Sequence, residues 1–540
     1  MNHIWYKNAI FYSLDIETFY DANGDGIGDF QGLIQKLDYL SGLGITCIWL
    51  LPFFPSPNRD NGYDITDYYN VDPRLGTLGD FAELMDKAGQ LGIRILIDLV
   101  VNHTSIDHPW FQEAVENPQS GYFNYYIWSD DPQAHGEMEP MLKGEVDTLW
   151  TYNEKAGKYY LHRFYREQPD LNIANPEVRS EILRVMGFWL RLGVSGFRID
   201  AAERLIETYG MDNPGEYQLS CFFEEMREFI SLRKSDAILL AETNLEPENM
   251  HTYFQKGERM HMAFNFFINQ HLFLALAEED ASHLGRAYER EPGLFPQNQW
   301  LNFLRHHDEL SLQLLNEQQR QSIYRRFAPD KNMLVFESGI RRRIAPMLKA
   351  DRKHMELAYS LLFSLPGTPM VRYGDEIGMG ENLELKGRAS VRTPMQWSEA
   401  PEAGFSVSHT NKNVPVIDDE AFGFQAVNVR KQQQDASSFL SWVERLIIAR
   451  KQFPEIGYGA RAVIETAQRG LFLQRFQHQE GLAYLFHNLS SRELIVNWSD
   501  LSIESSRLAE LFGDAFSKQE DDSLILSPYG YKWYKYQNNQ

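Results

Sequence analysis

The sequence places charged side chains directly behind several apolar runs, and their types and spacing point to one kind of chemistry. Arg198 and Asp200 close GFRID (196–200), Glu242 follows AILLA, and His306, His307 and Asp308 follow WLNFL. Asp98 lies in RILIDLV (94–100), with Asn102 and His103 just beyond it. A charge at the end of an apolar segment is costly to bury without a partner, so any one of these reads equally well as a paired cap. Four segments ending this way suggest a shared site. Three carboxylates with an arginine and two histidines suit glycoside chemistry. There one carboxylate attacks the sugar and a carboxylic acid, roughly 5–5.5 Å away, protonates the leaving oxygen. Arg198 stands two residues before Asp200, so on a strand both side chains face the same way. The adjacent guanidinium is expected to keep Asp200 ionised with a lowered pKa, as a nucleophile requires. Glu242 is expected in a drier setting that raises its pKa, as an acid requires.

Such residues need a frame that brings strand ends together. The runs AIFYSLDI (9–16), CIWLLP (47–52), RILIDLV, GFRID, AILLAET (237–243), HMAFNFF, WLNFL and TPMVRYG are separated by amphipathic stretches. In FQGLIQKLDYLSGLG, for example, Phe30, Leu33, Ile34, Leu37 and Leu40 fall at helical spacing. Continuous apolar runs read as fully buried parallel strands. The expected fold class is therefore α/β, a (β/α)8 TIM barrel, with its chemistry at the C-terminal strand ends. Two regions break the rhythm. Residues 103–170 show no alternation and read as a small domain inserted after the third strand. From 460 to 540, pieces such as LFLQRF, LAYLF and ELIVNW suggest a C-terminal all-β sandwich. The barrel is then assigned to 1–102 and 171–459.

Composition bounds the partners. The 540 residues are 43% hydrophobic and 24% charged, which excludes a disordered chain. A net charge of −23 disfavours nucleic acid and anionic membrane, and suits a neutral or cationic small ligand. No apolar run is long enough to span a bilayer, and MNHIWYKNAIFY lacks the sections of a signal peptide. Cys47 and Cys221 are the two cysteines, so no disulfide framework is expected and the cytoplasm is the expected location. Self-association into a homo-oligomer is compatible with the sequence. The aromatic content of 13% fits a large core or a sugar-stacking pocket.

One further stretch reads as a metal loop. DANGDGIGDF opens like an EF-hand, with Asp21, Asn23, Asp25 and Asp29 alternating with small residues, but its twelfth position is Gly32 where a bidentate Glu is needed. The side-chain oxygens of those four residues and the Ile27 carbonyl supply much of a calcium shell without it. The expected cofactor is structural Ca2+ in a loop between the first strand and the first helix; a sensor would need paired helices that open. No organic cofactor is expected.

DLVVNH (98–103), GFRID (196–200), LLAET (239–243) and FLRHHDE (303–309) resemble, in order and spacing, the four conserved regions of the α-amylase superfamily, glycoside hydrolase family thirteen. QPDLN (168–172) resembles its fifth, and the resemblance covers nearly the whole chain. LLPFFPSPNRDNGYDITDY, NHTSIDHPWF, GIRRRIAP, GDEIGMGENLEL and VRTPMQW are similar to trehalose synthases within it, also called maltose α-glucosyltransferases. The resemblance implies Asp200 as nucleophile, Glu242 as general acid/base and Asp308 as the third carboxylate, gripping sugar hydroxyls. It implies that His103 and His307 hydrogen-bond the sugar, Arg198 orients Asp200, Tyr63 stacks under the sugar, and Asp64 and Asp98 support them. It further implies an Asp60–Arg392 pair closing the pocket, calcium in the Asp21–Asp29 loop, and a second metal site at Asn102 and Asp170. The implied activity is glucosyl transfer on maltose-type α-glucosides through a covalent glucosyl-enzyme, with some hydrolysis. An α-glucosidase or a transglucosylase using outside acceptors shares every catalytic residue. A non-catalytic binding protein on the same fold would be marked by loss of a triad carboxylate, and none is lost. The chain departs from the usual pattern at His306, in AAERLIE after Asp200, and in AETNLEP around Glu242.

Overall fold

The computed structural model describes residues 4–138, 140–142, 144–211, 218–408 and 415–537. Eight parallel strands close a barrel: β1 (Phe11–Leu14), β2 (Cys47–Leu50), β3 (Arg94–Leu99), β4 (Gly196–Ile199), β5 (Ile238–Ala241), β6 (Met262–Phe264), β7 (Gln299–Phe303) and β8 (Thr368–Arg372). Each coincides with one of the apolar runs, β7 starting one residue ahead of WLNFL. Closure is direct, since Phe11 of β1 pairs with Cys47 of β2 on one side and Met370 of β8 on the other. Every residue of β1, β2, β4 and β5 is buried, because helices cover the outer face and side chains fill the inside. Phe11, Trp49, Leu96, Leu240, Phe264 and Met370 belong to one packed interior cluster.

The helices start and stop where local chemistry dictates. Helix α1 (Phe30–Leu43) is capped by Asp29, whose carboxylate accepts the Gly32 N–H. It ends at Gly44 in the left-handed region (φ 94°) and buries the face read from the sequence. Helix α2 (Leu78–Gln90) begins with a reciprocal capping box between Thr77 and Asp80.

The insertion after β3 holds a three-stranded antiparallel sheet, Trp128–Ser129, Lys158–Leu161 and Trp150–Asn153 in spatial order, over a small core of Ile127, Leu149, Trp150 and Leu161. At its base His103 bridges to Asp170 and Tyr126 to Leu171, so the insertion leaves and rejoins the barrel at one place. At the C-terminus a five-stranded antiparallel sheet faces a three-stranded one across Leu473, Phe486, Trp498, Leu524 and Tyr534. The outer face of the larger sheet meets the barrel helix Arg352–Ser364 through Trp533 Nε1 donating to Ser360 Oγ at 2.9 Å. Among the described residues no helix is long and apolar enough to cross a membrane.

Candidate active site

The strand ends converge at the C-terminal mouth of the barrel, where βα loops place functional groups in this fold. Arg198, on β4, is fully buried, and one guanidinium serves three carboxylates. Its Nη1 lies 2.6 Å from Asp98 Oδ1 and 2.5 Å from Asp200 Oδ1; its Nη2 lies 2.5 Å from Glu242 Oε1. The Trp49 ring stands 5.0 Å from the guanidinium, and Trp49 Nε1 donates to Asp98 Oδ2 at 3.2 Å. The Ala201 N–H donates to Glu242 Oε2 at 3.1 Å, tying the residue after Asp200 to the end of β5.

One positive charge does not balance three buried carboxylates. Burial pushes Asp98 up to about 6, against the pull of Arg198. Burial also pushes Asp200 up to about 7, with Arg198 opposing and Asp98 and Asp308 adding to the rise. The expectation that Arg198 lowers Asp200 is therefore corrected: desolvation outweighs the ion pair, because Asp98 and Glu242 share the same cation. For Glu242 the expected rise is present, to about 7, through burial. Burial thus lifts both Asp200 and Glu242 toward neutral pH, which keeps a proton within reach of the leaving oxygen.

Asp308 is the opposite case. Burial would raise it, but the Arg388 and Arg392 charges hold it well below the usual carboxylate range. Arg392 Nη2 lies 2.6 Å and Arg388 Nε 3.2 Å from Asp308 Oδ1, and His307 Nε2 lies 3.2 Å from Oδ2. The Tyr63 ring stacks on His307 at 5.7 Å with 7° between planes, and the Tyr63 hydroxyl is 2.7 Å from His307 Nε2. His103 Nε2 reaches the Tyr63 carbonyl at 3.1 Å. Burial lowers His103 to about 4 and drives His306 and His307 well below their ordinary value, so all three act as neutral imidazoles at neutral pH. Asp64 shapes the loop before Tyr63, accepting from Ser56 Oγ at 2.9 Å and from the N–H groups of Asp60 (3.2 Å) and Arg59 (3.3 Å).

The Asp60–Arg392 pair does not form. Arg392 is turned onto Asp308 and the His307 carbonyl, while Asp60 Oδ2 accepts from Gln168 Nε2 at 2.9 Å. Burial lifts Asp60 to about 6. The Asn102–Asp170 position already holds a cation. Arg163 Nη1 meets Asp170 Oδ2 at 2.5 Å with both groups buried, and Asn102 Nδ2 donates to Asp170 Oδ1 at 3.3 Å. A divalent ion there would have to displace the guanidinium.

In the Asp21–Asp29 loop, Gly24 and Gly26 take positive φ and bend the chain. Asp21 accepts from the N–H groups of Gly24 (2.6 Å) and Gly26 (2.8 Å) and from Ser406 Oγ (2.6 Å). Asp29 Oδ2 accepts from the Ala22 and Asn23 N–H groups, and Asp25 Oδ1 from that of Ile27. The donor set is all oxygen, which fits calcium, and these amide contacts fix the carboxylates around the turn.

The triad carboxylates line a cavity of about 880 Å³, its open mouth included, with Asp60, Tyr63, His103 and His306. The insertion contributes Met141, Leu142 and Phe164, so it forms part of the wall. Glu203, Asn244, Ser311, Gln313 and Arg388 also line it and were not singled out in the sequence. Three carried a signal: Glu203 lies in AAERLIE, Asn244 follows Glu242 in AETN, and Arg388 precedes VRTPMQW.

The α-amylase catalytic-domain profile matches residues 16–459. The chain belongs to the α-amylase family. A trehalose synthase of Thermus thermophilus is 41% identical over 493 residues, 91% of this chain and 51% of that protein. A trehalose synthase/amylase of Mycolicibacterium smegmatis is 41% identical over 460 residues, 84% of this chain and 77% of that protein. The chain thus spans about half the length of the Thermus relative. The crystal structure of an α-amylase from H. orenii matches with a TM-score of 0.77 at 27% identity, covering 98% of this chain and 100% of that one.

Proposed function

We propose that this α-amylase family enzyme is a retaining α-glucosyl transferase of the trehalose-synthase kind, interconverting maltose and trehalose with some hydrolysis. The observation that carries the reading is the triad at one cavity: Asp200 and Glu242 on the two ends of one guanidinium, and Asp308 held ionised opposite. Asp200 attacks the anomeric carbon as the glycosidic bond breaks, and the leaving oxygen takes the proton of Glu242. The covalent bond from Asp200 to glucose is then broken by a hydroxyl of the released glucose, whose proton returns to Glu242. Asp308, His103 and His307 hold the sugar hydroxyls and Tyr63 the sugar face. Similarity to proteins named trehalose synthase supports the isomerising step.

A second reading, hydrolysis or transfer to outside acceptors, draws on the polar wall of Glu203, Asn244, Ser311 and Gln313, which suits water as well as sugar. Incubating the pure protein with maltose and resolving the products separates the two. Trehalose as the main product is expected; glucose alone, or longer oligosaccharides, would remove the first reading.

Calcium is part of the proposal. Asp21, Asn23, Asp25 and Asp29 would hold it by side-chain oxygens with the Ile27 carbonyl, fixing the loop that leads into α1. A site filled at a hundred times its Kd adds about 2.7 kcal/mol to the folded state. Excess EDTA is therefore expected to lower Tm by several degrees, and added calcium to restore it. A Tm indifferent to chelator speaks against the site. We place the protein in the cytoplasm, where Cys47 and Cys221, both free, stay as thiols.

A further inference from the structure

The N-terminal end of the barrel, opposite the catalytic mouth, holds a second cleft of about 2320 Å³, its open side included. Strand starts form its floor: Lys7 lies before β1, Gln299 and Trp300 open β7, and Gly367 lies before β8. The loop 291–296 and the segment 454–461, which leads into the C-terminal sheets, form its sides. Among the described residues it shares no lining residue with the catalytic cavity.

Three side chains on this wall are more than nine-tenths buried and carry an unpaired polar group. Lys7 is 9% exposed, and among the described residues its ammonium has no ion pair or hydrogen bond. Burial lowers its pKa, and no carboxylate acts to raise it. The neighbouring cation, Arg461, is already balanced, its Nη1 lying 3.0 Å from Glu291 Oε2. Lys7 is thus the charge left uncompensated. Asn298 donates through Nδ2 to the Met260 carbonyl at 2.8 Å, which leaves its buried Oδ1 without a donor. Trp300 Nε1 is buried without an acceptor. Buried polar groups are normally paired, so three such groups on one cleft call for a ligand that completes them.

The wall is held in place before any ligand arrives. Gly457 packs so closely on the Lys7 backbone that a Cβ there would come within 2.0 Å of the Lys7 carbonyl. Gln299 Nε2 donates to the Gly457 carbonyl at 2.9 Å. The Tyr458 hydroxyl donates to the Ile4 carbonyl at 2.7 Å, and the Tyr458 ring stacks on His478 at 5.5 Å. Tyr458 and the exposed Phe295 give the cleft flat apolar surface.

We propose that this cleft is a binding site for a sugar phosphate, with the phosphate on Lys7 and the sugar on Asn298 and the aromatic rings. The Lys7 ammonium and the Trp300 N–H are donors, as anionic oxygens require, and Asn298 Oδ1 accepts from a sugar hydroxyl. Inorganic phosphate would leave Asn298 and the rings unused. A neutral sugar would leave Lys7 uncompensated. A ligand with both parts answers all of them. The site does not rest on the glucosyl-transfer reading, since its occupancy is measured without turnover.

Isothermal titration calorimetry with glucose 6-phosphate, inorganic phosphate and glucose tests this on wild type, Lys7→Met, Lys7→Arg and Gly293→Leu. Glucose 6-phosphate is expected to bind wild type more tightly than phosphate or glucose alone. Loss of the charge-assisted contact weakens it roughly tenfold or more in Lys7→Met, while Lys7→Arg keeps most of the affinity. Gly293 lines the cleft and a Cβ there meets nothing within 4 Å, so Gly293→Leu narrows the cleft without a clash and also weakens binding. Should Lys7→Met fail to fold, Gly293→Leu reads the same loss. With no phosphate present, kcat/KM on maltose keeps its wild-type value in all three variants. Absence of binding to wild type, or unchanged affinity in the folded Lys7→Met and Gly293→Leu, overturns the site. Inorganic phosphate binding as tightly as glucose 6-phosphate overturns it too, because the sugar then contributes nothing.

Discussion

Asp200→Ala lowers kcat on maltose by roughly 10⁴-fold or more, while the folded protein melts at or above the wild-type temperature. The activity loss follows from the covalent step: without a carboxylate at this position nothing captures the anomeric carbon. Four decades correspond to about 5.5 kcal/mol of barrier. The stability expectation follows from the charge imbalance around Arg198. Burial lifts the Asp200 carboxyl to about 7, above its unfolded value. Its contribution is fully present below the unfolded carboxylate pKa and is lost as pH rises through about 7. Removing the group therefore removes a decline in stability between about pH 4 and 7, and relaxes repulsion on Glu242. Kinetics on maltose and thermal melts across that range check both halves. Azide with an aryl α-glucoside is a sharper test, because the small anion enters the space left by the carboxylate and yields a β-glucosyl azide. A well-folded, active Asp200→Ala would remove the nucleophile assignment.

The barrel was legible because a parallel strand buried on both faces needs an unbroken apolar run, and each of the eight strands is one. Asp98, Arg198, Asp200, Glu242 and Asp308 were legible for a related reason: closing the barrel makes strand ends neighbours. What failed depended on geometry with no period. Asp60 and Arg392 lie on loops, and which carboxylate Arg392 meets is decided by the turn around 387–391. Arg163, seven residues before Asp170, becomes its partner through the fold of the insertion. The pKa of Asp200 was misjudged because sequence shows one neighbouring arginine but neither the burial of the carboxyl nor the Asp98 and Asp308 charges beside it. The short strands of the insertion, two to four residues each, are below what alternation can reveal.

That shared guanidinium carries the second large effect. Arg198→Met keeps the length and apolar stem of the side chain and removes the cation that contacts Asp98, Asp200 and Glu242 together. Breaking a buried ion pair from one side costs about 3–5 kcal/mol, and here three carboxylates lose their partner at once. The pH dependence fixes the cause. Asp98, Asp200 and Glu242 already stand above their ordinary values, at about 6, 7 and 7, and without Arg198 each rises further. Near pH 5 all three stay protonated in the folded variant, so little stability is lost. The unfolded chain is ionised at these groups from about pH 4 upward; as pH climbs past 7 the wild-type fold ionises them too and the variant fold does not, so the deficit grows with pH. Denaturant unfolding of wild type and variant at pH 5 and pH 8 measures this, with the larger loss expected at pH 8. Adding Asp98→Asn to Arg198→Met should recover part of the pH 8 loss, since a neutral amide at that position needs no counterion. A deficit equal at both pH values would mean that Arg198 supports the fold by packing on Trp49 and Tyr63 rather than by balancing charge. The joint role in holding Asp200 and Glu242 would then have to be sought elsewhere in the site.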